Sequence, residues 1–223
     1  MRPPVENKII CSYEGCQKEP LKTSNEGYCI FHERDSSKDK AEFQRLLQQK
    51  IQCNDFDFRG YYFIGRTDFT HREFSKDVDF RSAWFQGDAH FTGTKFVGKA
   101  LFIGVRFLAN AVFAGCTFSG LTLFSNSQFK GKTLFSEARF EGSADFMNTH
   151  FSEVTDFGKC QFPESTDFTN AEFSSDTFFC EAKFLGNAGF RNTKFSKSAD
   201  FRDAEFSGHI YFETAEFLGR VYF

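Results

Sequence analysis

Cys11, Cys16, Cys29 and His32 stand in the pattern C-x4-C-x12-C-x2-H. Two close pairs of such donors, separated by a short loop, are what a tetrahedral zinc ion requires. A segment this short also has no hydrophobic core of its own to hold it folded. Gly15, Pro20 and Gly27 suit the intervening turns. Four protein ligands close the coordination sphere, so the spacing predicts one structural Zn2+ per chain with no open position for catalysis. The plainer alternative is an arm carrying free thiols. Lys8, Lys18, Lys22 and Arg34 are offset by Glu6, Glu14, Glu19, Glu26 and Glu33, whereas a nucleic-acid finger is normally more basic.

No second constellation offers chemistry. His71, His90, His150 and His209 are scattered. Asp68, Asp79, Asp145, Asp156, Asp167 and Asp200 each precede a Phe, and they read as solvated positions of a repeat rather than acid/base pairs. No Gly-rich phosphate loop joins a strand to a helix. The expectation is a protein that is not an enzyme.

What must position the metal ligands is set by an anomaly in composition. The chain has 223 residues, 40% hydrophobic and 26% charged, with a net charge of −3; 35 of its residues are Phe, against one Trp and two Met. An ordinary interior mixes shapes to fill space, so one repeated shape implies a repetitive interior. From Phe58 to Phe223 the Phe residues recur with gaps of five and six in strict alternation, through 31 positions without a substitution. Phe31, Phe43, Phe56 and Phe178 alone fall outside this series. Two residues before each Phe, from Thr67 onward, stands Ala, Thr, Ser, Cys or Val, except at Arg72 and Ile210. Two residues after it there is often Gly or Asn. On an α-helix this spacing would place alternate Phe on separate stripes, and the Gly, Thr, Asn and Ser content makes a poor helix. The pattern instead fits a chain that turns a corner every five or six residues. Phe and the small residue before it point inward, and Gly or Asn takes a left-handed corner.

Stretches such as Ala171-Glu172-Phe173-Ser174-Ser175 and Ala199-Asp200-Phe201-Arg202-Asp203 resemble the repeating unit of the pentapeptide-repeat family, in its Phe-rich form with alternating five- and six-residue units. The N-terminal Cys3His pattern resembles a small zinc-ribbon-like module. The first resemblance implies an all-β solenoid, a right-handed quadrilateral β-helix with four units and about 22 residues per coil, hence about 7.5 coils between Phe58 and Phe223. At ~4.8 Å per coil the rod is roughly 36 Å long. Phe113, Phe118, Phe124, Phe129, Phe135 and Phe140 fall at its centre. Cys116 and Cys160 fall in the inward slot two coils apart, too far for a disulfide, so they read as core residues.

The expected organisation is a zinc module over residues 1–34, a capping helix and linker over 35–53, and the β-helix over 54–223. Residues 36–52 read as a helix. Ser36 and Asp39 resemble a capping box, and Phe43, Leu46, Leu47 and Ile51 line one face as a lid on the first coil. Phe56 and Tyr61 stand in early small-residue slots and suit extra packing against that lid. At the other end Tyr222-Phe223 leaves an open coil edge, read either as a truncation or as a homodimer surface. With no apolar signal region, and free cysteines, the chain is expected in the cytoplasm, without membrane or direct nucleic-acid contact.

Between Asp88 and Glu137 there is no acidic residue, while Lys95, Lys99, Arg106, Lys130 and Lys132 fall there together with Leu101 and Leu123. This basic and apolar stretch is either drift of the repeat or a docking patch, with Leu101, Leu123, Arg106, Lys130 and Lys132 as partner-binding candidates. The function expected is a non-enzymatic interaction scaffold for a protein partner. The family resemblance implies an alternative, a DNA-mimicking protein that binds type II topoisomerases. That role needs a strongly acidic rod, and residues 54–223 hold 22 Asp and Glu against 18 Lys and Arg.

Overall fold

The computed structural model describes residues 9–35 and 38–223. From Phe56 onward the chain winds as a parallel β-solenoid of 30 two-residue strands, Tyr62–Phe63 to Val221–Tyr222. They form four sheets, two of eight strands and two of seven. Every rung pairs a residue with the one 22 positions later, as Phe63 with Phe85 and Thr117 with Arg139. Four sides of alternating five- and six-residue length therefore close one coil.

The interior is a set of ring columns. Phe135 lies parallel to Phe113 at 4.8 Å and to Phe157 at 4.9 Å, and meets Phe124 and Phe146 edge-on at 5.3 and 5.6 Å. Stacking runs up each side and edge-to-face contacts run across, the two arrangements the ring quadrupole favours. The six central Phe residues expected in the core are all fully buried. The slot before Phe must be small because the opposite rings fill the space; Thr67 and Thr166 bury their hydroxyls there without a partner, but other polar residues of the slot close a bond. Thr94, Cys116, Ser127, Thr149, Cys160 and Thr193 each donate to a Phe carbonyl of the coil beneath, at 2.6–3.0 Å. Cys116 and Cys160 are buried free thiols, as expected.

The corners are of two kinds, and here the single left-handed corner expected from the sequence is corrected. Positive φ falls every 11 residues, at Gly93, Gly104, Gly115, Asn126, Glu137, Asn148 and onward, at the turn that follows each five-residue spacing's first Phe. The other corners, Gly65 with its φ of +66 excepted, are close-packed instead: a Cβ on Gly120 would lie 2.6 Å from the Gly98 carbonyl oxygen of the previous coil. Along one left-handed edge Asn148, Asn170 and Asn192 each donate from Nδ2 to the Asn one coil below, at 3.0–3.3 Å. Asparagine tolerates the conformation and its amide joins neighbouring coils.

Helix α1 spans Lys40–Gln52, four residues shorter at its start than expected. Asp39 is its N-cap, accepting from the Glu42 amide at 3.0 Å, so the capping signal belongs to Asp39 and Glu42. Ser36 lies outside the described residues. Phe43, Leu47 and Ile51 are buried and Leu46 packs beside them. Phe43 meets Phe63 of the first coil edge-on at 5.8 Å, which makes α1 the lid that was anticipated. The N-terminal segment, α1 and the coils share one continuous apolar core.

Candidate metal centre

Cys11 and Cys16 sit on a tight hairpin. The Cys11 amide donates to the Lys18 carbonyl at 2.8 Å and the Cys16 amide to that of Tyr13 at 3.0 Å. Cys29 and His32 open a single helical turn, in which the His32 amide donates to the Cys29 carbonyl at 3.0 Å. The hairpin's Ser12 amide, bonded to the Gly27 carbonyl at 2.9 Å, brings the two pairs together.

All four ligand atoms lie within 4.8 Å of one another. Cys16 Sγ is 3.8 Å from Cys29 Sγ, and His32 Nδ1 is 3.2 Å from Cys29 Sγ and 3.5 Å from Cys11 Sγ. Two sulfurs bound tetrahedrally at about 2.3 Å from zinc stand ~3.8 Å apart, so these edges fit one ion. His32 Nε2 donates to the Arg59 carbonyl at 2.9 Å, which leaves the Nδ1 lone pair directed at the sulfurs. The Cys29 amide donates to Cys11 Sγ at 3.2 Å. Burial pushes the Cys29 thiol up to about 12, raises that of Cys16 and lowers the His32 imidazolium. Neutral imidazole is the ligating form, and thiolates in this buried site need a cation beside them.

The centre is fastened to the first coil. Tyr13 stacks on His32 at 4.0 Å, Phe31 stacks on Tyr61 at 4.5 Å, and the Tyr62 amide donates to the Phe31 carbonyl at 2.8 Å. Tyr13 also lies against Gly60, where an added Cβ would sit 2.1 Å from its ring. Lys38 is buried. Its Nζ donates to the Glu33 carbonyl at 2.9 Å and the Tyr62 carbonyl at 2.6 Å, over the Phe43 ring, and burial lowers its pKa to about 7.

The remaining candidates are spread around the rod. Leu101 and Leu123 are half-buried partners on the fourth face, which begins at Asp79. Arg106 is on the adjacent first face and Lys130 and Lys132 are exposed at its far corner, so the two leucines and the two lysines do not share a surface. Arg106 lies over the Trp84 ring at 4.3 Å, with Arg34 over the same ring at 4.8 Å. This cation-aromatic ladder was overlooked in the sequence, although Tyr62, Trp84 and Arg106 stand 22 residues apart. The Asp residues before Phe are also more than solvated positions. Asp68, Asp79, Asp145, Asp156, Asp167 and Asp200 each accept from the amide two residues on, at 2.7–3.1 Å, and so hold the left-handed corners. Their restriction to alternate Phe was the available signal. His150 pairs with Glu172 of the next rung at 3.0 Å.

Fold and site together define a parallel β-solenoid whose first coil is covered by a Cys3His cluster able to hold a metal ion. A profile of pentapeptide repeats in nine copies matches residues 102–146, 135–182 and 179–223, more than half of the chain. The chain belongs to the pentapeptide-repeat family. No curated protein matches it.

Proposed function

We propose that the chain is a non-enzymatic scaffold, a rigid four-sided rod with a zinc-bound cap that presents fixed ladders of side chains to a protein partner. The observation that carries this reading is the filled Phe interior. Outward residues are held on 22-residue ladders with no movable loop between rungs, which suits recognition more than turnover. Clefts of about 260–410 Å³ flank the N-terminal module, and the thiols and imidazole that line them, Cys16, Cys29 and His32, belong to the candidate metal cluster. Zinc is the ion these donors fit best: three sulfurs and one imidazole supply a closed tetrahedron, and the ion would contribute folding energy to the cap. Seven cysteines, none in a disulfide, suit a reducing compartment, where the scaffold would work.

The test is a four-sided crosslinking scan. A photoreactive residue is placed in turn at Arg106, Val112, Thr117 and Leu123, one on each face of the middle coils. A scaffold gives a partner adduct from one face or one edge. Equal, unsaturable labelling from all four positions would remove the reading.

A further inference from the structure

The fourth face carries an apolar ledge that runs directly into uncompensated negative charge. Val97 is 49% exposed and Leu121 39% exposed at its edge, beside half-buried Leu101, Ile103 and Leu123 on the same two rungs. The next two rungs set Asp145 above Leu123 and Asp167 above Asp145. Glu141 and Glu164 are exposed at the edge of those rungs. No Lys or Arg stands in 141–148 or 163–170, the segments that form this part of the face. By contrast, Asp79 pairs with Arg81 and Asp200 with Arg202, each at 2.6 Å. Burial, with Asp167 alongside, pushes the Asp145 carboxyl above its usual range, as expected where no cation is near.

We propose that this ledge and the carboxylate rungs beyond it bind a polypeptide segment of a partner protein in which apolar anchors are followed by a Lys/Arg cluster. The inference rests on the scaffold reading and gives its partner a chemistry. Four rungs at ~4.8 Å span roughly 14 Å between the first and last, the length of about ten helical residues at ~1.5 Å each. One amphipathic segment along the rod can therefore seat its apolar side chains on Leu101 and Leu123 and its cations on Asp145 and Asp167. Anionic lipid and nucleic acid are disfavoured by the same carboxylates. A second copy laid antiparallel across the leucine pair would oppose Asp79 to Asp145, and a parallel copy would oppose Asp145 to itself.

A random twelve-residue peptide display library selected on the intact chain tests this, with the enriched peptides titrated by fluorescence anisotropy. Enriched sequences should carry paired apolar residues beside two or more Lys or Arg. Their affinity should fall at least tenfold on Leu101→Ser/Leu123→Ser and about tenfold on Asp145→Asn/Asp167→Asn, and both variants should keep the wild-type circular dichroism melt. Acidic or uncharged winners, no enrichment over a blank surface, or undiminished binding to both variants overturns the proposal. So does a dimer, measured by light scattering, that the leucine variant dissolves. Winners that bind but compete at another face leave the scaffold standing and this site refuted, whereas a chain that retains nothing, with a crosslinking scan that labels nothing, ends both.

Discussion

Replacing Phe135 by Ala strikes the ring columns at their middle. The ring is fully buried between two stacked neighbours and two edge-on ones. Truncating a buried Phe costs about 3–5 kcal/mol, and the cost is greatest where the walls cannot collapse. Here the walls are strands fixed by hydrogen bonds above and below, so the upper part of that range applies. Phe217 is the control. It is half-buried, with Phe195 stacked at 4.8 Å and Phe212 tilted at 5.8 Å, and its truncation should cost roughly 1–2 kcal/mol. Since each coil leans mainly on its neighbours, the Phe135 lesion also divides the stack. Trp84 is the sole Trp and reports the capped side, while far-ultraviolet circular dichroism reports the whole rod. In guanidinium titrations the two signals should coincide for wild type and separate for Phe135→Ala. A loss under about 1 kcal/mol, the range of an ordinary surface change, or a loss equal to that of Phe217→Ala would refute the column as the source of stability.

The purified chain should carry one zinc per molecule by mass spectrometry, lost in Cys29→Ala; amide protection of residues 9–35 in metal-free protein would end the metal reading. Gly60 and Gly115 both have φ of +64, but only Gly60 is pressed by Tyr13. Both Ala variants should lose about 1–2 kcal/mol for the left-handed residue, with a further loss at Gly60; equal thermal shifts would mean Tyr13 does not rest there. In metal-loaded protein a thiol reagent should reach exposed Cys53 quickly, and buried Cys116 and Cys160 only on unfolding, since burial raises both thiols; equal rates would contradict their placement. In a gyrase supercoiling assay the chain should neither inhibit nor protect, and either effect would favour the DNA-mimic alternative.

The winding was legible because its cause is periodic: a ring every five or six residues leaves one closed geometry, so Phe58 to Phe223 could be counted into coils. The Cys3His cluster was legible because coordination chemistry restricts spacing. The two kinds of corner were not. Gly93 and Gly120 look alike in sequence, and only the approach of the Gly98 backbone shows that the second is Gly for lack of room. The start of α1 was misplaced because Ser36 and Asp39 are both good caps, and the choice depends on which one offers its oxygen to an amide three residues on. The surface was the least legible. Arg106 counts as a free cation in a tally of charges, but the coil brings Trp84 beneath it.

The cap explains why chemistry stands at this end of the rod. A first coil has ladder edges and ring faces with nothing beneath them, and uncovered edges invite association. Helix α1 covers the rings, but it cannot pair the strand edge. That pairing comes from the N-terminal segment, through the Phe31 carbonyl to the Tyr62 amide and the His32 ring to the Arg59 carbonyl. A segment of this length lacks the apolar surface to hold such a shape by itself, and a tetrahedral ion can supply the missing free energy. His32 is the one residue that both belongs to the metal set and bonds the coil through its side chain. A bound ion would thereby deliver its coordination energy to Arg59 and the first rung, and the later coils would receive it only through their neighbours.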